Sequence, residues 1–207
     1  TKSNIKNLVG NEKEPLKKAA IIYKYVQEKT RYVSIQEGIG GWKPMLAKDV
    51  DKLGYGDCKA LTNYTKSLLD VVGIPSYYTV VHAESDFPIN LDEDFVSMQG
   101  NHAILGIPHK DEIIWLECTS QTLPFGFQGD FTDDRKVLIV DSDNSKIVKT
   151  KTYTNSDNYQ KTKTKVFINN DNSVNCEVII NSKGIIYDNK YYLKKESANV
   201  IKEYYSS

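Results

Sequence analysis

Two apolar runs of the sequence, residues 101–107 and 112–117, constrain the fold more than any other feature. They flank a four-residue segment, 108–111, whose Pro, His, Lys and Asp predict a turn between two antiparallel strands. Apolar residues fall on both faces of these strands, so neither face of the resulting sheet is suited to water. The pattern predicts a central hairpin covered by helical structure, in an α+β fold.

Two helices are predicted upstream of this hairpin. Residues 15–29 begin with a proline suited to a first helical turn, and their apolar side chains recur at spacings of three and four. Residues 31–35 are then predicted as a short extended segment, and 36–54 as a loop with one helical turn. Asp57 is a strong N-cap residue, and the apolar stripe after it ends at Gly73. We therefore expect the second helix to begin at Cys58 and to cover the hairpin.

Three further strands, at residues 77–82, 137–140 and 147–150, complete the first part of the chain, which we predict to be one domain, residues 1–150. Beyond it the composition changes to Lys, Thr, Asn and Tyr, and strands 163–168 and 174–180 are predicted to form a second hairpin. A single hairpin cannot bury a core. The segment 151–207 must therefore pack on the first domain or begin a further β domain.

The charge balance limits the classes of partner. Basic and acidic residues both number 27, so no overall field attracts nucleic acid or an anionic membrane. No apolar run approaches the roughly 20 residues of a membrane span. The three cysteines include no C-x-x-C pair, and a zinc site from Cys58, His82, His102 and Cys118 lacks paired ligand spacing. No metal or cofactor is expected.

The register of the first hairpin decides whether a histidine meets an acid. In the simplest register Ile107 faces Glu112, and His102 then lies opposite Glu117. Directly opposed residues point to the same face, with Cβ atoms about 4.5–5.5 Å apart, which lets a carboxylate hold an imidazole. A shift of one residue would send the two side chains to opposite faces.

Cys58 lies where a nucleophile would benefit from its surroundings. A helix N-terminus favours a thiolate, and a neighbouring imidazolium lowers the thiol pKa from about 8.5 to between about 3.5 and 7.5. Gly54 and Gly56 would let a substrate backbone approach the sulfur. Alone, Cys58, His102 and Glu117 each have a structural explanation, as a core cysteine, a core histidine and an acid at a strand end. Together, in that chain order, they favour nucleophilic catalysis.

Four segments carry a family resemblance: YVSIQ at 32–36, YGDCKA at 55–60, NHAI at 101–104 and WLECTSQTLPFG at 115–126. Together they resemble the bacterial transglutaminase-like superfamily, within the papain-like cysteine enzymes, over about residues 10–150. The resemblance implies an α+β core in which the nucleophile's helix packs on an antiparallel sheet. It also implies a periplasmic or cell-envelope setting and a further β domain beginning in residues 151–207.

The resemblance also implies the roles of individual residues. Cys58 would be the nucleophile, His102 the general base and acid, and Glu117 the orienting carboxylate. The family's usual third residue is aspartate followed by proline, whereas this chain has Glu117 followed by Cys118. Papain-like sites place an oxyanion donor upstream of the cysteine, which points to Gln36, although a surface glutamine explains that position equally well.

Three further residues are candidates for binding substrate: Trp42, Tyr55 and Gly56. Trp42 either walls a substrate groove or caps the core, and the sequence does not choose between these roles. The expected function is cysteine-dependent acyl transfer on a peptide or protein amide, completed by water as in a peptidase or by an amine as in a transglutaminase. The alternative is a non-catalytic module that keeps the fold to bind peptides or envelope partners.

Overall fold

The computed structural model of the chain describes residues 2–188 and 190–206. The chain divides into two compact units, Thr1–Lys151 and Thr152–Ser207. The composition of the sequence places the boundary after residue 150. Within the described residues, no helix combines the length and apolar character needed to cross a membrane.

The described helices of the first unit are α1 (Lys2–Val9), α2 (Pro15–Lys29), α3 (Ala47–Leu53) and α4 (Cys58–Val71). The predictions of α2 and of the start of α4 are confirmed, and Asp57 is the N-cap of α4. The prediction of one helical turn in a loop at 36–54 is incomplete. That segment contains a 3₁₀ turn, Gly38–Gly41, and also α3, which buries only Val50 and so shows no apolar stripe. The short helix α1 is also absent from the sequence prediction.

The strands of the first unit are β1 (Arg31–Tyr32), β2 (Tyr55–Gly56), β3 (Tyr77–Val81), β4 (His102–His109), β5 (Glu112–Leu116), β6 (Lys136–Val140) and β7 (Lys146–Lys149). β1 and β2 form a short parallel pair. The other five form an antiparallel sheet in the order β5-β4-β3-β6-β7. The α+β class is therefore confirmed.

Both faces of the sheet are apolar, as the hairpin sequence predicts. One face joins the core formed by α1, α2 and α4, to which the hairpin contributes Leu105, Ile107 and Leu116. A separate cluster contains Val81, Ile104, Trp115 and Val137. Because α4 packs on β4, the Thr62 hydroxyl can donate to the Ala103 carbonyl at 3.1 Å. This contact fixes the first turns of α4 beside the start of β4.

The hairpin of β4 and β5 closes on a two-residue turn, Lys110 and Asp111, instead of the predicted four-residue turn. Lys110 adopts a left-handed φ of 52°, which allows the tighter reversal. The register therefore differs from the prediction by two residues, and the expectation that His102 lies directly opposite Glu117 is wrong. Since side chains alternate between faces, a shift of two leaves each of them on its predicted face.

The second unit contains a hairpin and short helical segments: β8 (Gln160–Ile168), β9 (Val174–Ser182), α5 (Ile185–Asp188), a 3₁₀ turn (Tyr191–Lys195) and α6 (Ala198–Ser206). The hairpin prediction is confirmed, with both strands longer than expected. All residues of β8 are exposed. The helical segments were not predicted.

Candidate active site

Cys58 is held at the first position of α4 by the N-cap that precedes it. The Asp57 side chain accepts a hydrogen bond from the Ala60 backbone N–H at 2.9 Å, which satisfies one of the free donors of the first turn. Cys58 itself is only 6% exposed. Its thiol thus lies at the positive end of the helix dipole, largely shielded from water.

His102, the first residue of β4, connects the cysteine with the acid. Its Nε2 lies 2.8 Å from Oε2 of Glu117. The ring also lies close enough to the Cys58 thiol for hydrogen bonding and charge between them to shift the pKa of both groups. The ring of Phe131 packs against the imidazole, with centroids 5.6 Å apart. The structure therefore brings together the three residues that the sequence singles out.

Glu117 is fixed at both its side chain and its backbone. Oε1 accepts hydrogen bonds from the Thr119 backbone N–H, at 3.0 Å, and from the Thr119 hydroxyl. The Tyr23 hydroxyl of α2 donates to the Glu117 carbonyl at 2.9 Å. With His102 on Oε2, both carboxylate oxygens are occupied, so the side chain has little freedom to turn away.

The electrostatics favour a charged pair. Burial acts to raise the pKa of the Cys58 thiol, but the hydrogen bond and charge of His102 outweigh it and hold that pKa below its ordinary value. Burial acts to lower the pKa of His102, but the Glu117 charge and the hydrogen bonds to Glu117 and Cys58 raise it to about 10. The pKa of His102 thus lies well above neutral, and that of Cys58 lies below the value of an ordinary thiol, so both shifts favour a thiolate and an imidazolium.

The neighbouring groups titrate differently. Burial acts to raise the pKa of Glu117, but the charge and hydrogen bond of His102, aided by Thr119, bring that pKa below its usual range. Burial raises the pKa of the Cys118 thiol to about 12. Two buried thiols of the chain thus shift in opposite directions, because the pKa of Cys58 is lowered and that of Cys118 is raised.

A cavity of about 610 Å³ opens beside the thiol. Its apolar lining includes Trp42, which is 66% exposed, together with Val80 and Met98. Gln36 also lines it, but this side chain is exposed, and its amide donates a 3.4 Å hydrogen bond to the Ser34 hydroxyl. Among the described lining residues none is acidic.

Tyr55 and Gly56, by contrast, do not line this cavity. Both lie in β2, and Gly56 is buried. A Cβ at Gly56 would come within 2.8 Å of the Ala60 Cβ, so glycine allows α4 to pack closely on β2. Gly54 has a left-handed φ of 71° and ends α3. The structure thus gives both glycines a backbone explanation instead of the expected approach of substrate to the sulfur.

Sequence reasoning missed Arg135, which is 1% exposed. Its guanidinium donates to the carbonyls of His82 at 3.0 Å and Asp130 at 3.1 Å, and also to those of Asp133 and Glu84. These bonds hold the loop whose Phe131 contacts His102. The sequence predicts only the strand at 137–140 in this region. No sequence signal marks an arginine whose side chain donates to backbone carbonyls.

One residue of the zinc alternative, His82, has a backbone partner. His82 points elsewhere, with Nδ1 2.8 Å from the Gln99 carbonyl. In the part of the chain that the structure describes, no three His, Cys, Asp or Glu side chains form a group that could hold a metal ion.

Comparison with known proteins adds one structural neighbour. No protein-family model matches the chain, and no curated protein matches it. Among solved structures, it is similar to a protein from Parabacteroides distasonis described as a "putative protease", with a TM-score of 0.52 and 17% sequence identity. The match covers 73% of this chain, which spans 28% of the length of the neighbour. At this identity the likeness shows a shared fold alone.

Proposed function

We propose that the first unit is a cysteine-dependent enzyme that breaks an amide bond through a thioester on Cys58. The observation that carries the proposal is the hydrogen bond between His102 and Glu117 next to the Cys58 thiol, with Cys58 and His102 both lining an open cavity. In it, His102 is the general base and acid and Glu117 the orienting carboxylate. The α4 N-terminus on an antiparallel sheet and the four quoted motifs support a transglutaminase-like core.

The proposed reaction proceeds in two steps. The Cys58 thiolate attacks the amide carbonyl carbon, forming a C–S bond and an oxyanion, and the His102 imidazolium gives its proton to the leaving nitrogen as the C–N bond breaks. Water then gives a proton to the imidazole and attacks the thioester, and the C–S bond breaks to release the acid. Helix N-termini leave backbone N–H groups free, so the Cys58 N–H is the proposed oxyanion donor, with Gln36 as its partner.

Peptidase-type hydrolysis is the leading form of this proposal, and the description of the structural neighbour supports it. An amine that replaced water in the second step would give transglutaminase-type transfer with the same residues. The substrate we propose is a peptide with apolar side chains, because Trp42, Val80 and Met98 line the cavity. Incubation with a peptide amide, with and without a primary amine, separates the two products by mass.

Covalent labelling of the intact chain tests the proposal. A peptide carrying an electrophilic carbon in place of the scissile carbonyl should form one adduct on Cys58, located by peptide mass mapping. Cys58→Ala should remove the adduct. Cys176→Ser is the matched control, because that cysteine is exposed in the second unit, and it should label as wild type does. Labelling of Cys176 as fast as of Cys58 would instead support the non-catalytic binding module.

A further inference from the structure

The helix that presents the nucleophile begins on a buried carboxylate. The Asp57 side chain is 3% exposed, and its Oδ1 caps α4 through the Ala60 N–H. A carboxylate is a favourable cap because it faces the free N–H groups of the first turn. Its negative charge, however, adjoins Cys58 and acts against ionisation of the thiol. The Asp57 charge that stabilises the helix start therefore destabilises the Cys58 thiolate.

Lys59 lies on the other side of Cys58 in the sequence and meets the same carboxylate. Its Nζ forms an ion pair with Oδ2 of Asp57, the oxygen that does not cap the helix. The Lys59 side chain is 14% exposed, so water screens this pair much less than a surface pair. Lys59 also lines the catalytic cavity. The two Asp57 oxygens thus serve two purposes, one structural and one electrostatic.

We propose that Lys59 is a positioning residue that neutralises the Asp57 cap and so allows the adjoining Cys58 to act as a thiolate. This inference rests on the proposed function of Cys58. It assigns to residues 57–59 a single arrangement in which the carboxylate fixes the start of α4 and the ammonium cancels its charge. The role acts through Asp57 and requires no contact between Lys59 and the sulfur.

The other charged and titratable groups around the thiol are accounted for. His102 of β4 carries a positive charge, which the adjoining Glu117 balances. Tyr78 of β3 lines the cavity, and burial, followed by the charge of Cys58, raises the pKa of its phenol, so it stays neutral. Cys118 stays protonated. Loss of the Lys59 charge would therefore leave Asp57 as an unbalanced negative charge beside the thiolate.

Four variants separate this role from a packing role. Lys59→Met removes the charge and keeps much of the side-chain length. Asp57→Asn keeps a good N-cap and removes the charge that Lys59 neutralises. The double variant removes both charges. Lys66→Met is the matched control on the same helix, because Lys66 pairs with Asp70 on the surface at 3.4 Å.

The measurement is the rate of iodoacetamide alkylation at Cys58 against pH, read by mass mapping of the intact chain. Near pH 6 we expect Lys59→Met to react about tenfold more slowly than wild type, the effect of one pKa unit on thiolate content. The double variant should return to within about threefold of wild type, and Lys66→Met should not differ from it. If Lys59 only packs or only contacts substrate, adding Asp57→Asn to Lys59→Met is not expected to restore the alkylation rate.

Two results would overturn the inference while leaving the proposed function standing. In the first, Cys58 of the wild type alkylates fast and Lys59→Met alkylates at the same rate. In the second, the double variant alkylates as slowly as Lys59→Met. A wild-type Cys58 that alkylates like an ordinary thiol would instead remove the proposed function itself. Should Lys59→Met not fold, Asp57→Asn alone decides the question. It is expected to alkylate at least as fast as wild type, and slower alkylation would count against the inference.

Discussion

Glu117 reaches His102 along a diagonal of the hairpin. Extending the observed register beyond the pair Leu105–Leu116 places Glu117 opposite Ile104, two residues from His102. Diagonal neighbours lie about 7–8 Å apart, farther than directly opposed ones. The 2.8 Å contact is made because glutamate is one methylene longer than aspartate. This geometry gives a physical reason for glutamate instead of the shorter aspartate at position 117.

Shortening this side chain should therefore be costly even though its charge is kept. We expect Glu117→Asp to slow labelling of Cys58 by the peptide electrophile about 10- to 100-fold near pH 6, approaching the effect of Glu117→Gln, because the imidazolium loses its partner. Glu112→Asp, on an exposed residue of β5, is the control and should label normally. Wild-type labelling by Glu117→Asp would show that the diagonal does not limit the contact.

At the scale of elements, the loop between β5 and β6 depends on one buried cation. The Arg135 guanidinium serves four backbone carbonyls, and no apolar side chain could replace those donors. We expect Arg135→Met to lower the free energy of unfolding by about 3 kcal/mol, because buried acceptors lose their partners. Chemical denaturation measures this change.

The neighbouring lysine provides the control for that prediction. Lys136 is exposed and pairs with Glu93 on the surface, so Lys136→Met should change the free energy of unfolding by less than about 0.5 kcal/mol. Equal effects of the two variants would show that the carbonyl contacts of Arg135 contribute no more than a surface ion pair.

Across the whole molecule, the long amphipathic elements were predictable and the short ones were not. α2 and α4 carry several buried residues at helical spacing, and β4 and β5 carry apolar runs, so local pattern suffices. α1 and α3 bury one or two residues each, and their helical state depends on tertiary packing. The hairpin register escaped prediction because Lys110 and Asp111 are not a strong two-residue turn sequence.

The arrangement of the candidate site was predictable where it depends on residue type and position along the elements. A cysteine after an N-cap, and a histidine and an acid on one face of a hairpin, follow from periodicity, and a two-residue error in register leaves the faces unchanged. The contacts of Arg135 with backbone carbonyls and of Phe131 with the imidazole depend on loop paths. Loop paths carry no periodic signal, so those supporting residues emerge only from the fold.

The three cysteines allow the central claim to be tested within one molecule. Cys58 is paired with an imidazolium, Cys118 is buried and protonated, and Cys176 is exposed on β9. A thiolate stabilised by a neighbouring cation persists at pH values where ordinary thiols, with a pKa of about 8.5, are protonated.

The deciding measurement is the ratio of iodoacetamide alkylation rates at Cys58 and Cys176 in the wild-type chain near pH 6. Cys58 is expected to react at least about tenfold faster than Cys176, because a lowered pKa leaves a larger fraction of its thiol ionised. His102→Ala should abolish the difference. Equal rates at the two cysteines in the wild type, rising together only as the pH approaches about 8.5, would contradict the claim that Cys58 is an activated nucleophile.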